Sequence, residues 1–276
     1  MKFCDSHSDC LTFYSIENAA QYLKSYKTKN IKTLCCAVFT SELKEDPLLY
    51  IEAAAAQIKA LNSGHKFIIY GEDCSFLTKS NLKTLIDLRP VSCGLTWHFD
   101  NSLAGGDEGH GDITPFGTEV IKTLEQNNIF IDTAHLNRKS FYQVCGLSKK
   151  PIYNSHCGVY KFCRNKRNLT DQQIKYIFDT NGFMGIYLVS YLLSKKHCSV
   201  RTVAEHFDYV IRKFGYKNVG LGTDFFGTKN LPARATGYDD LHLILKELKD
   251  MGHSRKIIKH IAHKNYTDFL KRSGLL

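Results

Sequence analysis

The sequence has no long apolar run. No window of the 276 residues approaches the roughly 20 apolar residues that a membrane-spanning helix needs. The first residues, Met1-Lys2-Phe3-Cys4-Asp5, contain no apolar stretch of the length found in a secretory signal peptide. We therefore expect a cytoplasmic protein that has no membrane partner.

The ten cysteines lack the spacing of a metal-binding or redox motif. No Cys-x-x-Cys pair occurs, and the only adjacent pair is Cys35-Cys36. Without a secretory signal, such scattered cysteines are better interpreted as reduced thiols that pack as small apolar side chains. No disulfide framework is expected.

The chain is also poor in proline, with five residues, and has no low-complexity segment or linker. Its 43% hydrophobic and 23% charged residues are ordinary for a globular protein. A length of 276 residues suits one closed α/β barrel. We expect a single domain over residues 1–276, with C-terminal helices packed outside the barrel.

The charge is unbalanced, with 37 Lys and Arg against 27 Asp and Glu, a formal net charge of +10. Such an excess can indicate a nucleic-acid partner. The basic residues are dispersed along helical segments, however, as in Lys246–Asp250 and Arg255–Lys259, and no basic run alternates with aromatics. We therefore predict no nucleic-acid partner. A non-catalytic barrel that binds a partner through its basic surface is kept as an alternative function.

Short β-branched runs alternate with amphipathic segments along the whole chain. Eight runs are predicted to be strands: one beginning near Phe3, then Lys32–Phe39, Lys66–Gly71, Val91–Trp97, Ile129–Ala134, Pro151–Ser155, Phe183–Ser190 and Asn218–Thr223. Helical spacing between them predicts helices over Pro47–Ala60, from Pro115, from Asp171, over Tyr238–Lys249 and over Ser254–Leu270. Eight strands alternating with helices predict a (β/α)8 TIM barrel of the metal-dependent hydrolase type.

Polar residues that packing does not explain lie at the carboxyl ends of five of these strands. They are His7 and Asp9, Glu72, His135, His156 and Asp224. Active sites of such barrels are built on this rim. Imidazole nitrogen and carboxylate oxygen are the ligands that zinc accepts where a site stays open to water. The pattern predicts a metal site on the rim.

The ordered motifs resemble the membrane (renal) dipeptidase family, a branch of the metal-dependent amidohydrolases. The resemblance runs from Asp5-Ser6-His7-Ser8-Asp9 to Asn265. It is carried by the motifs Ile113–Gly117, Ile131–His135, Ser155-His156, Arg167–Asp171 and Gly220–Phe225.

The resemblance implies two Zn²⁺ per chain, which share a hydroxide that attacks the peptide carbonyl. His7 and Asp9 would hold one ion, His135 and His156 the other, and Glu72 would bridge them. Asp224 would take the proton from the shared water and pass it to the leaving amine. Arg167 would bind the C-terminal carboxylate of a dipeptide. A homodimer is also implied.

Three positions depart from the family pattern. Trp97 stands where the renal enzyme has a histidine that polarises the scissile carbonyl, so we expect Trp97 at the substrate and His98 as the candidate for that catalytic role. Asp73 and Phe226 replace the usual glycine and aspartate. These changes keep open a second alternative, hydrolysis of another small amide such as an N-acyl amino acid or a natural-product intermediate.

Overall fold

The strands form a closed, parallel barrel. The computed structural model describes residues 1–11, 30–40, 46–61 and 66–276. Each strand pairs in parallel with the next, and β1 pairs with β8 to close the barrel. The strands are β1 (Phe3–Ser8), β2 (Ile31–Phe39), β3 (Lys66–Glu72), β4 (Ser92–Gly94), β5 (Phe130–Asp132), β6 (Tyr153–Cys157), β7 (Phe183–Ile186) and β8 (Val219–Leu221). The predicted (β/α)8 barrel is confirmed.

Helices lie between the strands and after the last one. Within the described residues they are α1 (Pro47–Leu61), α2 (Leu82–Asp87), α3 (Pro115–Gln126), α4 (Arg138–Leu147), α5 (Asp171–Asp179), α6 (Ser190–Leu193), α7 (Val200–Phe214), α8 (Leu241–Asp250), α9 (Arg255–Lys259) and α10 (Asn265–Arg272). A π-helical turn, His260–Lys264, joins α9 to α10. In the part of the chain that the structure describes, no helix combines the length and apolar character needed to cross a bilayer.

The predicted helix starts agree with the capping geometry. The Thr114 side chain accepts a hydrogen bond from the Gly117 amide, and Pro115 occupies the first helical position of α3. Thr170 and Gln173 form a capping box at the start of α5. Such caps satisfy amide donors that have no partner within the helix, which explains why the sequence indicates these starts well.

Several strands are shorter than the sequence predicted. The prediction of Val91–Trp97 corresponds to the three residues of β4, and that of Phe183–Ser190 to the four of β7. The remaining residues leave the sheet at its carboxyl end, where Trp97 and Val189 line a cavity. Both apolar runs extend beyond their strands because their last residues form part of the cavity wall, and the predicted strands were therefore too long.

The last helix closes the amino-terminal end of the barrel. The Tyr153 hydroxyl donates to the Ser6 carbonyl on β1, which is not a neighbouring strand, so this side chain crosses the barrel interior. Phe269 of α10 stacks on Tyr153 with ring centroids 5.4 Å apart. Tyr266 packs against Phe183 at 4.9 Å. The sequence analysis expected the C-terminal helices outside the barrel, and α10 packs over its amino-terminal end.

All ten cysteines are free thiols, and nine of them are buried. Cys35 and Cys36 are fully buried on β2, and burial raises the pKa of both thiols well above the ordinary value. The expectation of apolar packing without disulfides is confirmed.

Candidate metal centre

Three predicted ligands meet at the carboxyl ends of β1 and β3. The Nε2 atom of His7 lies 3.2 Å from Asp9 Oδ2 and 3.6 Å from Glu72 Oε2. All three residues are buried. One imidazole nitrogen and two carboxylates therefore converge within the reach of a single cation.

A second group of three meets on the other side of the same carboxylate. The Nε2 atom of His135 is 3.1 Å from Glu72 Oε1, and that of His156 is 3.7 Å from it. The two histidine Nε2 atoms are themselves 3.1 Å apart. Glu72 thus presents one oxygen to each group, in the position of a bridge between two cations.

The donor chemistry of these groups fits zinc. Burial, together with the positive charge of Arg167, holds the pKa of His135 well below its usual range. Burial, together with His7, does the same for the pKa of His156. Both rings are therefore neutral, and neutral imidazole is the form that binds a metal. Two lone-pair donors and a carboxylate oxygen at such short separations are what a Zn²⁺ ion accepts.

The carboxylates show the cost of gathering negative charge in a buried place. Burial raises the pKa of Glu72 well above its ordinary value, although His7 opposes this. Burial would lower the pKa of His7, but Glu72 and Asp9 outweigh it and raise that pKa to about 10. Buried charges of this kind are usually paired or bound to metals, and divalent cations would compensate the carboxylates here.

Asp224 lies beside both groups, with His7 and His156 as its nearest possible co-ligands. Its Oδ1 atom is 3.7 Å from His7 Nε2, and its amide donates to the His7 carbonyl. Burial and the Asp9 carboxylate raise its pKa well above the usual range, against the effect of His7. Asp224 also lines the cavity, so its carboxyl group can reach both the cluster and a bound molecule.

Strained backbone presents several of these side chains. His135 and Asp224, each three residues after a strand, have φ values of 65° and 60°. Asp73, next to Glu72, has φ 55°. Only a few per cent of non-glycine residues adopt this left-handed region, which costs about 1–3 kcal/mol and is found at functional sites. At His135 and Asp224 this conformation turns the chain sharply after the strand, where both side chains line the cavity.

Ser155 orients two of the histidines from below. Its hydroxyl lies 2.8 Å from His156 Nδ1 and 3.4 Å from His7 Nδ1. Partners of this kind hold the ring that a metal ligand presents and select its tautomer. Because Nδ1 is engaged on both rings, Nε2 is the atom left for a cation.

The cluster forms the floor of a cavity of about 260 Å³. This is near the lower end of ligand pockets, which span about 300–1,000 Å³. The cavity is lined by Asp9, Phe39, Glu72, Trp97, His98, His135, Arg167, Val189, Tyr191, Leu192, Asp224, Gly227 and Thr228. Acidic groups occupy the floor, and aromatic and aliphatic side chains form the walls, so a small molecule with a polar centre fits.

Arg167 is the basic side chain of this wall, and it is almost completely buried. Its neighbour Asn168 is fixed by hydrogen bonds to the carbonyls of Cys163 and Leu192 and from the Tyr187 hydroxyl. A guanidinium held in this way is suited to bind a carboxylate through two parallel hydrogen bonds. This burial shows that Arg167 does not lie on an open, solvated loop.

Trp97 and His98 both lie in the cavity wall after β4. Their rings are 3.9 Å apart, and Trp97 also packs edge-on against Phe39 at 4.9 Å. His98 is 5.5 Å from the His135 ring, between centroids. The structure therefore brings together all nine residues that the sequence singled out for the site.

Sequence reasoning missed other residues of the site. Asp107 is buried behind the wall, where its carboxylate accepts a hydrogen bond from His98. Gly227 lies so close to the carboxylates that a β-carbon there would approach Asp9 and Asp224 within less than 3.0 Å. The glycine-rich stretch Gly105–Gly111 was a signal for a tight loop around Asp107, but its direction depends on contacts that are distant in sequence.

A family model described as membrane dipeptidase (peptidase family M19) matches residues 15–272. The match contains Glu72, His135, His156 and Asp224 and begins after His7 and Asp9, so the placement of these two rests on the geometry.

Two curated relatives and one solved structure are similar. An uncharacterised protein in the pqqA 5′ region of Klebsiella pneumoniae is 27% identical over 65% of this chain and 71% of its own. A dipeptidase of Aspergillus oryzae is 25% identical over 60% of this chain and 41% of its own, so the match spans less than half of that protein. A Rhodobacter sphaeroides metallo peptidase, solved with a phosphinate mimic of L-Ala-D-Ala, has a TM-score of 0.83 at 18% identity, covering 99% of both chains.

The structural likeness establishes the shared barrel, and the family model covers nearly the whole chain. The family match, together with the donor cluster at the barrel mouth, shows that this chain belongs to the membrane dipeptidase family of metallopeptidases, peptidase family M19.

Proposed function

We propose that the protein is a zinc-dependent dipeptidase that binds two Zn²⁺ per chain and hydrolyses the peptide bond of dipeptides. The observation that carries this proposal is the position of Glu72 between two groups of donors. One group is His7 and Asp9, and the other is His135 and His156. A two-cation site at the floor of a small cavity suits hydrolysis of a small amide.

These residues would hold the ions in two open sites. Zinc bound there would supply Lewis acidity toward the scissile carbonyl and make a water molecule a stronger nucleophile near neutral pH. Ser155 would keep the rings of His7 and His156 in the orientation that presents Nε2. The burial of the cluster would limit competition from bulk water.

Asp224 would act as the general base and then as the general acid. Its Oδ1 atom faces the cluster, and the residue lines the cavity. Oδ1 would accept a proton from the attacking water and deliver it to the nitrogen of the leaving amino acid. A carboxylate that reaches both the cluster and a bound molecule is placed for both halves of such a transfer.

Arg167 would bind the C-terminal carboxylate of the dipeptide. Arg167 lines the same cavity as the acidic cluster, so a substrate bound to both would lie with its peptide bond between them. Trp97 would pack against the substrate. His98 would face the scissile carbonyl and polarise it.

Dipeptides with a D-residue at the C-terminal position are included in the proposed substrates. The support is the Rhodobacter sphaeroides metallo peptidase of the same fold, whose bound ligand mimics L-Ala-D-Ala. A carboxylate held by Arg167 would fix the end of the substrate, and the side chain of that C-terminal residue would lie near the exposed Tyr191, which also lines the cavity.

A second candidate function is hydrolysis of another small amide at the same centre. The observation that favours it is the cavity wall formed by Trp97 and His98, at positions that depart from the renal pattern. An aromatic wall can accept an acyl group as well as an amino acid side chain.

The test compares substrates on zinc-reconstituted protein. We expect L-Ala-L-Ala and L-Ala-D-Ala to be cleaved with kcat/KM at least about tenfold above that for acetyl-alanine. Removal of metal by a chelator should abolish turnover, and added zinc should restore it. A preference for acetylated amino acids would favour the second candidate, and a wide dipeptide panel left intact would refute dipeptidase activity.

A further inference from the structure

Asp107 is a buried carboxylate placed behind two groups of the cavity wall. Its exposed fraction is 3%, and it does not line the cavity itself. Oδ1 lies 2.9 Å from His98 Nδ1, and Oδ2 lies 4.0 Å from Arg167 Nε. One carboxylate is therefore shared by the imidazole and the guanidinium that face the substrate.

The contact with His98 determines which ring nitrogen faces the cavity. A carboxylate offers acceptors only, so Nδ1 of His98 must be the donor in this hydrogen bond. Nε2 is then the ring atom left for a ligand, and His98 keeps a partly exposed side chain that lines the cavity. Without this partner the ring could turn or change tautomer.

The contact with Arg167 is a charge interaction that is longer than a hydrogen bond. The side chains of both residues are at most 6% exposed. A buried guanidinium needs a nearby negative charge, and Asp107 supplies it on the side away from the cavity. The remaining N–H donors of Arg167 can then point into the cavity.

The loop that carries Asp107 is tied down on both sides. The Asp100 carboxylate accepts hydrogen bonds from the amides of Gly106, His110 and Gly111. The Glu108 amide donates to the His98 carbonyl at 2.8 Å. Because the residues before and after Asp107 are both anchored, its carboxylate has a fixed position relative to His98.

We propose that Asp107 is a positioning residue that holds the side chains of His98 and Arg167 together. Binding of the substrate carboxylate by Arg167 is thereby coupled to the orientation of the His98 imidazole. This inference rests on the proposed function, in which Arg167 binds the dipeptide carboxylate. Asp107 does not touch the substrate and acts through the two side chains.

Two variants separate the two contacts. Asp107→Asn keeps an oxygen that can accept from His98 but removes the charge that faces Arg167. Asp107→Ala removes both. Glu108→Gln is the matched control, because Glu108 is the next residue of the same loop and forms an exposed ion pair with Lys166. Melting temperature and zinc content should stay close to the wild-type values in Asp107→Asn and in the control.

The first readout is the preference for a free carboxylate, measured as the ratio of kcat/KM for L-Ala-L-Ala to that for its C-terminal amide. We expect Asp107→Asn and Asp107→Ala to lower this ratio about tenfold, mainly through KM, and Glu108→Gln to leave it unchanged. If Asp107 had only a structural role, its substitution would lower kcat/KM equally for the dipeptide and for its amide. An unchanged ratio in both Asp107 variants would overturn the coupling to Arg167.

The second readout does not need activity. Nitrogen-15 NMR of the histidine rings, at a pH where imidazole is neutral, reports the tautomer of His98. We expect the Nδ1-protonated form in the wild type and in Asp107→Asn, and a mixture of tautomers in Asp107→Ala. If neither substrate is cleaved by the wild type, the proposed function fails, and this readout still decides the contact with His98: the same tautomer in all three proteins would overturn it.

Discussion

In the proposed reaction Asp224 transfers the proton, and its carboxylate faces His7 beside the two groups of donors that share Glu72. We therefore expect Asp224→Asn to lower kcat by about 10²–10⁴-fold, the usual contribution of general acid–base catalysis. The bound zinc should remain, because His7, Asp9 and Glu72 are unchanged. Steady-state kinetics and elemental analysis on the same preparation measure both quantities.

Asp73→Asn is the matched control for this variant. Asp73 is also a buried aspartate with a left-handed backbone at a strand end, but its carboxylate contacts Asn101. Its substitution should leave kcat within about threefold. Equal losses in the two variants would show that charge near the strand ends, rather than proton transfer by Asp224, limits the rate.

Gly227 leaves room for the two carboxylates beside it. A β-carbon would lie less than 3.0 Å from Asp9 Oδ2 and from Asp224 Oδ1, a separation that real side chains do not show. Gly227→Ala should therefore displace these carboxylates, weaken zinc binding and lower activity at least about tenfold. Isothermal titration of the metal-free protein with zinc measures the affinity.

Gly146 provides the comparison for this change. It lies in α4 with open space around its β-carbon position. Gly146→Ala should raise the free energy of unfolding by about 0.5–1 kcal/mol, since alanine favours a helix more than glycine does, and should not change zinc affinity. Unimpaired zinc binding in Gly227→Ala would show that the carboxylates can move without cost.

At the scale of elements, one buried histidine joins α7 to the segments that surround Arg167. His206 of α7 accepts a hydrogen bond from the Val159 amide, after β6, and its Nε2 lies 3.1 Å from the Leu193 carbonyl at the end of α6. Burial lowers the pKa of His206 to about 4. The ring must therefore remain neutral for these segments to stay together.

This low pKa predicts a loss of stability in acid. The unfolded chain has a histidine pKa of about 6.5 and so binds more protons than the folded chain between pH 6.5 and pH 4. The contribution of His206 to the free energy of unfolding is complete above pH 6.5. It declines as the pH falls through this window, by roughly 3 kcal/mol in total. His206→Gln, which cannot titrate, should lack this part of the pH dependence in urea-unfolding curves.

His242→Gln is the control, because it makes the same substitution at a histidine that is exposed on α8. Its curve should follow that of the wild type at each pH. If His206→Gln also followed the wild type between pH 6.5 and pH 4, the buried ring would not be the group that responds to acid.

Much of the element order could be predicted because the local signals are strong. Thr114-Pro115 and Thr170–Gln173 are capping patterns that act within one turn, and β2 contains the continuous apolar run Leu34–Phe39. Strand ends were harder. The sixth strand was predicted over Pro151–Ser155 with His156 at its end, whereas β6 spans Tyr153–Cys157. Pairing with β7 sets the end of this strand, and neighbours in space are not visible in one chain.

The candidate site was predictable for a related reason. In a parallel barrel every strand end reaches the same rim, so His7, Glu72 and His135 could be grouped before their distances were known. Asp107 and Gly227 could not be found in this way. Their importance depends on what the loops place beside them, the His98 ring and the Asp9 carboxylate, and loop paths carry little local signal.

At the scale of the whole molecule, the net charge of +10 is not by itself evidence of nucleic-acid binding. Some of the basic side chains pair along helices with a carboxylate four residues on, as in Lys83–Asp87, Lys175–Asp179 and Lys246–Asp250. Such exposed pairs are solvated and contribute little binding energy. We expect a DNA or RNA titration to show no salt-dependent binding at physiological ionic strength, and micromolar or tighter binding would revive the basic-barrel alternative.

One domain over residues 1–276 remains a prediction about the whole chain, as does the homodimer. The packing of α10 into the end of the barrel links the last segment to the first strands through Tyr153 and Phe269. Truncation before Asn265 should therefore destabilise the entire barrel, which thermal unfolding would show as a lowered melting temperature, and a truncated chain as stable as the full one would contradict this.

The most direct test of the central claim is a titration of metal-free protein with zinc, in which L-Ala-D-Ala hydrolysis and bound metal are measured at each step. The account predicts that turnover is absent without zinc and reaches its plateau when two ions are bound per chain. Full turnover without metal, or two bound ions without cleavage of any dipeptide, would contradict it.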